Sequence, residues 1–135
     1  MKLFAIGTSD NKVSIAMLVL RLVSGLTMAF SHGLGKMENY SKAVDSFPDP
    51  FGIGSQLSVI LAIFAELFCG VLIAVGFATR FTVIPLIITM ATAFFIIHGG
   101  DAFGDKEMSF IYLAMYLVIF IIGPGKYSVD KLISK

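Results

Sequence analysis

Four apolar stretches, 13–30, 57–77, 81–97 and 108–122, alternate with polar segments along the chain, and none contains a Lys or an Asp. Only Arg21 and Glu66 interrupt them with charge. Unbroken apolar runs of this length predict helices whose solvent is lipid. At ~1.5 Å rise per residue the second run crosses a hydrocarbon core of about 30 Å, while the third and fourth draw on their flanks or on local bilayer thinning. The pattern therefore predicts an all-α protein, an integral membrane four-helix transmembrane bundle forming a single domain over 1–135.

The polar segments fix how these helices connect. Only Ala78-Thr79-Arg80 separates the second from the third, so the two must lie antiparallel and adjacent. Pro85 is expected in the first turn or so of the third helix, where a missing N–H costs little. The outer loop, 31–56, carries Asn39, Ser41, Pro48, Asp49, Pro50, Gly52 and Gly54, which is turn chemistry, and is expected to cap the bundle from outside. Gly123-Pro124-Gly125 stops the fourth helix, and residues 128–134 are expected to form a short amphipathic turn on the inner surface. His-Gly pairs at 32–33 and 98–99 close the first and third helices, a weak echo of a two-plus-two repeat.

Charge sets the orientation. Placing both termini in the cytoplasm puts Lys2, Lys12, Arg80, Lys126, Lys131 and Lys135 inside and leaves Lys36, Lys42 and Lys106 outside, as the positive-inside rule demands. The expected location is the inner (plasma) membrane, multi-pass. A composition of 57% hydrophobic and 14% charged residues agrees, because soluble domains carry about a quarter charged residues. The first run continues through Ser31-His32-Gly33 without a small-residue cleavage site, which reads as a retained helix and not a signal peptide. With a net charge of +1 and basic residues scattered at helix ends, a nucleic-acid role finds no support. The single cysteine, Cys69, excludes an intrachain disulfide and a CxxC redox pair.

Counting from the expected helix ends places Arg21 and Glu66 near mid-bilayer, where each must face the bundle and find a partner. They are expected to pair, either as a polar site for a quinone head group, an anion or a proton, or as an ion pair that fixes helix register. At helical spacing Arg21, Gly25, Met28 and His32 share one face, and Ala62, Glu66, Cys69, Gly70 and Ile73 share another. Small residues on both faces allow close packing or leave a narrow ligand cleft. At the outer boundary His32 and His98, with Glu107, Asp101 and Asp105, are candidates for a transition metal or a proton relay, against the plainer reading of histidines satisfied by backbone or water. Tyr112 and Tyr116 either aim hydroxyls inward or simply pack, and Cys69, one turn from Glu66, reads as a small hydrophobe.

In order and spacing these residues resemble the DoxX family of small four-helix bacterial and archaeal membrane proteins. The resemblance rests on Arg21; Ser31-His32-Gly33-Leu34-Gly35-Lys36; Glu66 and Gly70; Gly76, Thr79 and Arg80; His98-Gly99; and, most specifically, the string from Gly123 to Asp130. It implies a quinone-linked redox subunit or a membrane component of an oxidoreductase or oxidative-stress complex, with quinone as the cofactor and the lipid bilayer, a soluble redox partner or further copies of the chain as partners. Alternatives are a non-catalytic anchor or assembly factor, and a small-solute or metal-ion carrier. Arg21, Glu66 and His98 match recurring family positions and are the catalytic candidates, with His32 and Tyr112 added as ligand-binding candidates. The absence of a cysteine pair weakens a directly catalytic role.

Overall fold

The computed structural model describes residues 3–134, and the charges read at Lys2 and Lys135 lie outside them. Among the described residues six helices follow one another: α1 (Asp10–Glu38), α2 (Tyr40–Ser46), α3 (Ser55–Val75), α4 (Thr79–Ile97), α5 (Phe103–Ile122) and α6 (Val129–Ile133). No strand occurs among the described residues. Helices α1, α3 and α4 are long and apolar enough to cross a membrane. α5 has 20 residues, but Asp105, Lys106 and Glu107 fall in its first turns, leaving 108–122 as its apolar part.

The start of α1 follows from its sequence, since the Ser9 side chain accepts the Lys12 N–H at 3.3 Å and Asp10 faces the positive end of the helix dipole. Its end does not fall near residue 30 as the apolar pattern predicts. The helix passes through a π turn at Ala29–Gly33 and continues to Glu38. Packing explains the difference: a Cβ at position 33 would stand 2.5 Å from the Leu67 amide nitrogen, so Gly33 lets α1 press against α3 and stay helical. Lower down, a Cβ at Gly25 would stand 2.5 Å from the Gly70 carbonyl oxygen. The small-residue faces of α1 and α3 are therefore a close seam and not a cleft.

α3 and α4 form the expected hairpin. The turn between them holds Gly76 at φ 76° and Ala78 at φ 47°. α4 begins at Thr79, two residues earlier than its apolar run, so Pro85 lies inside the helix and not in its first turn. A second π turn occupies Phe64–Cys69 in α3 and a third Ala93–Ile97 at the end of α4.

One core lies between α1, α3, α4 and α5, where Met28, Ile73, Leu86, Tyr116 and Ile119 are almost fully buried. A smaller one, around Ala29, Val59, Ile63 and Leu67, is covered by Tyr40, Val44 and Phe47. Most of the expected loop is thus the helix end of α1 and the short α2, and 47–54 is its irregular stretch. Within it the Asp49 carboxylate accepts the Ile53 and Gly54 amides at 2.9 and 2.8 Å and the Ser58 hydroxyl at 3.2 Å. These bonds, the Gly54 amide foremost, hold the Asp49 pKa below the usual carboxylate value.

Candidate functional site

Polar side chains gather at two levels. At the end of the bundle that carries α6, called the inner end after the expected topology, Arg21, 1% exposed, donates to the carbonyls of Pro124 (2.5 Å), Tyr127 (2.8 Å) and Ala74 (3.4 Å). Arg80 donates to the carbonyls of Phe120, Ile121 and Ile122 at 3.2–3.3 Å, closing the C-terminal end of α5. These are the orphan carbonyls that every helix end leaves, here satisfied by a side chain from another element. Gly123, at φ 90°, turns the chain away and leaves room for the guanidinium, since a Cβ there would lie 3.1 Å from Arg80 Nη2.

The converse holds at the start of α4, where Ala78 offers no capping side chain. Its first amides are capped by Asp130 instead, whose two carboxylate oxygens accept the Ala78 and Thr79 N–H groups at 2.7 and 2.9 Å. Partial burial opposes ionisation of Asp130, but the bonds from Thr79 and Ala78 outweigh it and hold the pKa below the usual carboxylate value. Ser128 caps α6, the expected amphipathic turn, by accepting the Lys131 N–H. The family-like string from Gly123 to Asp130 is therefore the piece that ties α1, α3, α4 and α5 together.

The ion pair expected between Arg21 and Glu66 does not form. Gly33 packs at the level of Glu66, and Arg21 lies twelve residues below Gly33 on α1, about 18 Å at 1.5 Å per residue. Depth counted from helix ends misled because Arg21 already lies level with the end of α3, at Ala74, while α1 runs eleven residues further to Asp10.

Glu66 is paired at the outer level, with Lys36 Nζ 2.7 Å from its carboxylate. The Glu66 side chain is 5% exposed and that of Lys36 26%, so the carboxylate is buried and the ammonium reaches the surface. Lys36 escaped the sequence reading although one more turn along the face of Arg21, Gly25, Met28 and His32 leads to it. Both partners border a cavity of about 510 Å³ enclosed by α1, α3, α4, α5 and the 47–54 loop. Its walls are mostly apolar, with Met28, Leu61, Met90 and Ile97 among them, and its polar lining includes Lys36, Glu66, His32 and Tyr112. The His32 ring meets Tyr112 edge-on at 5.8 Å, and Tyr112 stacks on Tyr116, whose hydroxyl donates to the Ser24 carbonyl.

His98 also borders the cavity, at an exposed rim, with its Nδ1 2.8 Å from Asp101. Glu107 does not; it faces a separate shallow depression beside Met108 and Ile111. Among the described residues no three His, Cys, Asp or Glu side chains converge as a metal would require, so His32, His98 and Glu107 do not assemble into the site considered for them. Cys69 is buried in the core. The three π turns carry or adjoin His32, Glu66 and His98. Such turns re-aim side chains and are frequent at functional sites, and nothing in an apolar pattern announces them.

The DoxX family model matches residues 16–99, more than half of the chain. A Haemophilus influenzae protein named "Uncharacterized protein" is 29% identical over 129 residues, covering 90% of this chain and 85% of the relative. The Escherichia coli "Inner membrane protein YqjF" is 29% identical over 127 residues, covering 90% of this chain and 94% of that protein. The Bacillus subtilis "Putative oxidoreductase CatD" is 27% identical over 127 residues, covering 93% and 92%. No solved structure matches. With three helices long and apolar enough to cross a membrane and these relatives, the chain is a multi-pass inner-membrane protein, and it belongs to the DoxX family.

Proposed function

We propose that the chain crosses the membrane four times with both ends in the cytoplasm, and that its outer cavity binds a quinone head group as the membrane subunit of a redox complex. The topology is supported by the charges: Lys12, Arg80, Lys126 and Lys131 fall at one end of the bundle, and Lys36, Lys42 and Lys106 at the other. A 20-residue α5 spans about 30 Å, with its acidic and basic first turns at headgroup level. There Lys106 Nζ lies 4.6 Å from the Phe94 ring centre, the snorkelling expected of an interfacial lysine.

The observation that carries the ligand reading is an ion pair and a histidine opening into one mostly apolar space. Ligand sites of about 300–1,000 Å³ have this make-up, apolar walls with a few convergent polar groups. The donor set fits a quinone: the Lys36 ammonium and Tyr112 hydroxyl can donate to ring oxygens, while apolar walls hold the ring. A bound quinone supplies two-electron, two-proton chemistry. Glu66 keeps Lys36 oriented, His32 holds an exchangeable proton beside Tyr112, and His98 with Asp101 links the rim to water. Electrons come from a soluble redox partner, because the chain has no dithiol. The oxidoreductase named among the relatives supports the same direction.

Protein extracted gently should retain quinone, and added quinone should raise its thermal stability in nanodiscs, by about 2.7 kcal/mol at a hundredfold excess over Kd. No retained quinone and no stabilisation would overturn the reading.

A further inference from the structure

Resting on that reading, we propose that the ligand reaches the cavity sideways from the outer leaflet through a gap between α3 and α4, and is an amphiphile whose apolar tail stays in that gap. The cavity has two unlike sides. Toward α5 its rim carries His98, Asp105 and Lys106, and above it the 47–54 loop forms a roof of Phe47, Pro48, Pro50 and Phe51 held by Asp49. On the side of α3 and α4 it is bordered by Leu61 and Ile88, apolar side chains that are 49% and 55% exposed.

Helix geometry opens this side. α3 and α4 pack together from the hairpin up to the π turn at Phe64–Cys69, but the outer turns Ser55–Ile63 stand away from α4. On α4, Pro85 removes one rung of the helical ladder and the π turn Ala93–Ile97 interrupts it again, two recognised causes of helix bending. The Thr89 hydroxyl, on the same wall, is spent on the Pro85 carbonyl at 2.7 Å. That hydroxyl therefore asks nothing of a tail lying along it, while Lys36, Glu66 and His32 wait at the far end for a polar head.

The test compares two probes on protein in nanodiscs: a long-tailed quinone and a tail-less benzoquinone with the same ring. Leu61→Trp with Ile88→Trp fills the gap and should weaken the long-tailed probe about tenfold more than the tail-less one. Phe68→Trp, on a lipid-facing position outside the cavity, should change neither. Equal weakening of both probes, or no weakening of either, overturns sideways access while leaving the quinone site in place. Failure of the unmodified protein to bind either probe overturns the quinone reading itself. A long-tailed quinone with a photoreactive group on its first tail unit supplies a check that needs no variant. It should label peptides containing Leu61 or Ile88, and labelling confined to 47–54 or α5 overturns the proposal.

Discussion

At the inner end of the bundle Arg21, Arg80 and Asp130 all terminate on backbone atoms of other elements, whereas at the outer end Lys36 and Glu66 terminate on each other beside open space. A charge that satisfies another helix's orphan groups cannot leave without stranding them in a low-dielectric interior. A side-chain pair beside a cavity can exchange its partner for a ligand and leave the backbone untouched. The same residue chemistry therefore builds a clasp at one end and a receptive surface at the other.

The contrast is broken most severely at Arg21. Arg21→Ala strands three carbonyls and should cost about 4 kcal/mol, measured as unfolding of the protein in bicelles. A loss below about 1 kcal/mol would mean that the inner network does not hold the bundle. Glu66→Gln sharpens the comparison from the other side: it should cost about 1–2 kcal/mol, because Lys36 can turn to water, yet abolish quinone-dependent stabilisation. Equal stability losses at Arg21 and Glu66 would erase the distinction between the two ends.

Smaller effects come from the acidic caps. Asp130→Asn should cost about 1 kcal/mol, as loss of an N-cap does. Because the folded pKa of Asp130 lies below the unfolded value of about 3.9, the unfolded chain binds the proton more readily. Its stabilisation is complete above that value and is lost as pH falls through the folded pKa. Unfolding profiles of Asp130→Asn should therefore be flatter than those of the unmodified protein below about pH 4. Asp49 shifts in the same direction but is fully exposed, so Asp49→Asn should give the smallest effect. Its readout is faster hydrogen exchange of the Ile53 and Gly54 amides, with the inner end unchanged.

The membrane class, the α3–α4 hairpin and the stop at Gly123 were legible because apolar run length, loop length and turn residues are local properties of the chain, while small-residue spacing left the α1–α3 faces open between a seam and a cleft. The partners of Arg21 were not. Backbone carbonyls of Pro124 and Tyr127 carry no side-chain signature, and their approach depends on how the segment after α5 folds back under the bundle. Glu66 was recognised as needing a buried partner, but opposite charge favoured the wrong cation because helix ends gave the wrong depth. The cavity was illegible for a related reason, since its roof comes from a segment whose turn residues give no direction.

The π turn at Ala29–Gly33 carries a consequence for how relatives of different length can be related. Each such turn holds one residue more than the regular helix needs, so removing a single residue there would let the wide turn close into regular helix. Everything beyond would keep its place around the helix axis, with Lys36 still on the face that meets Glu66, whereas a residue removed from a regular turn of α1 would swing that face by about 100°. Chains with a one-residue gap at this point should therefore carry their counter-charge at the position aligned with Lys36.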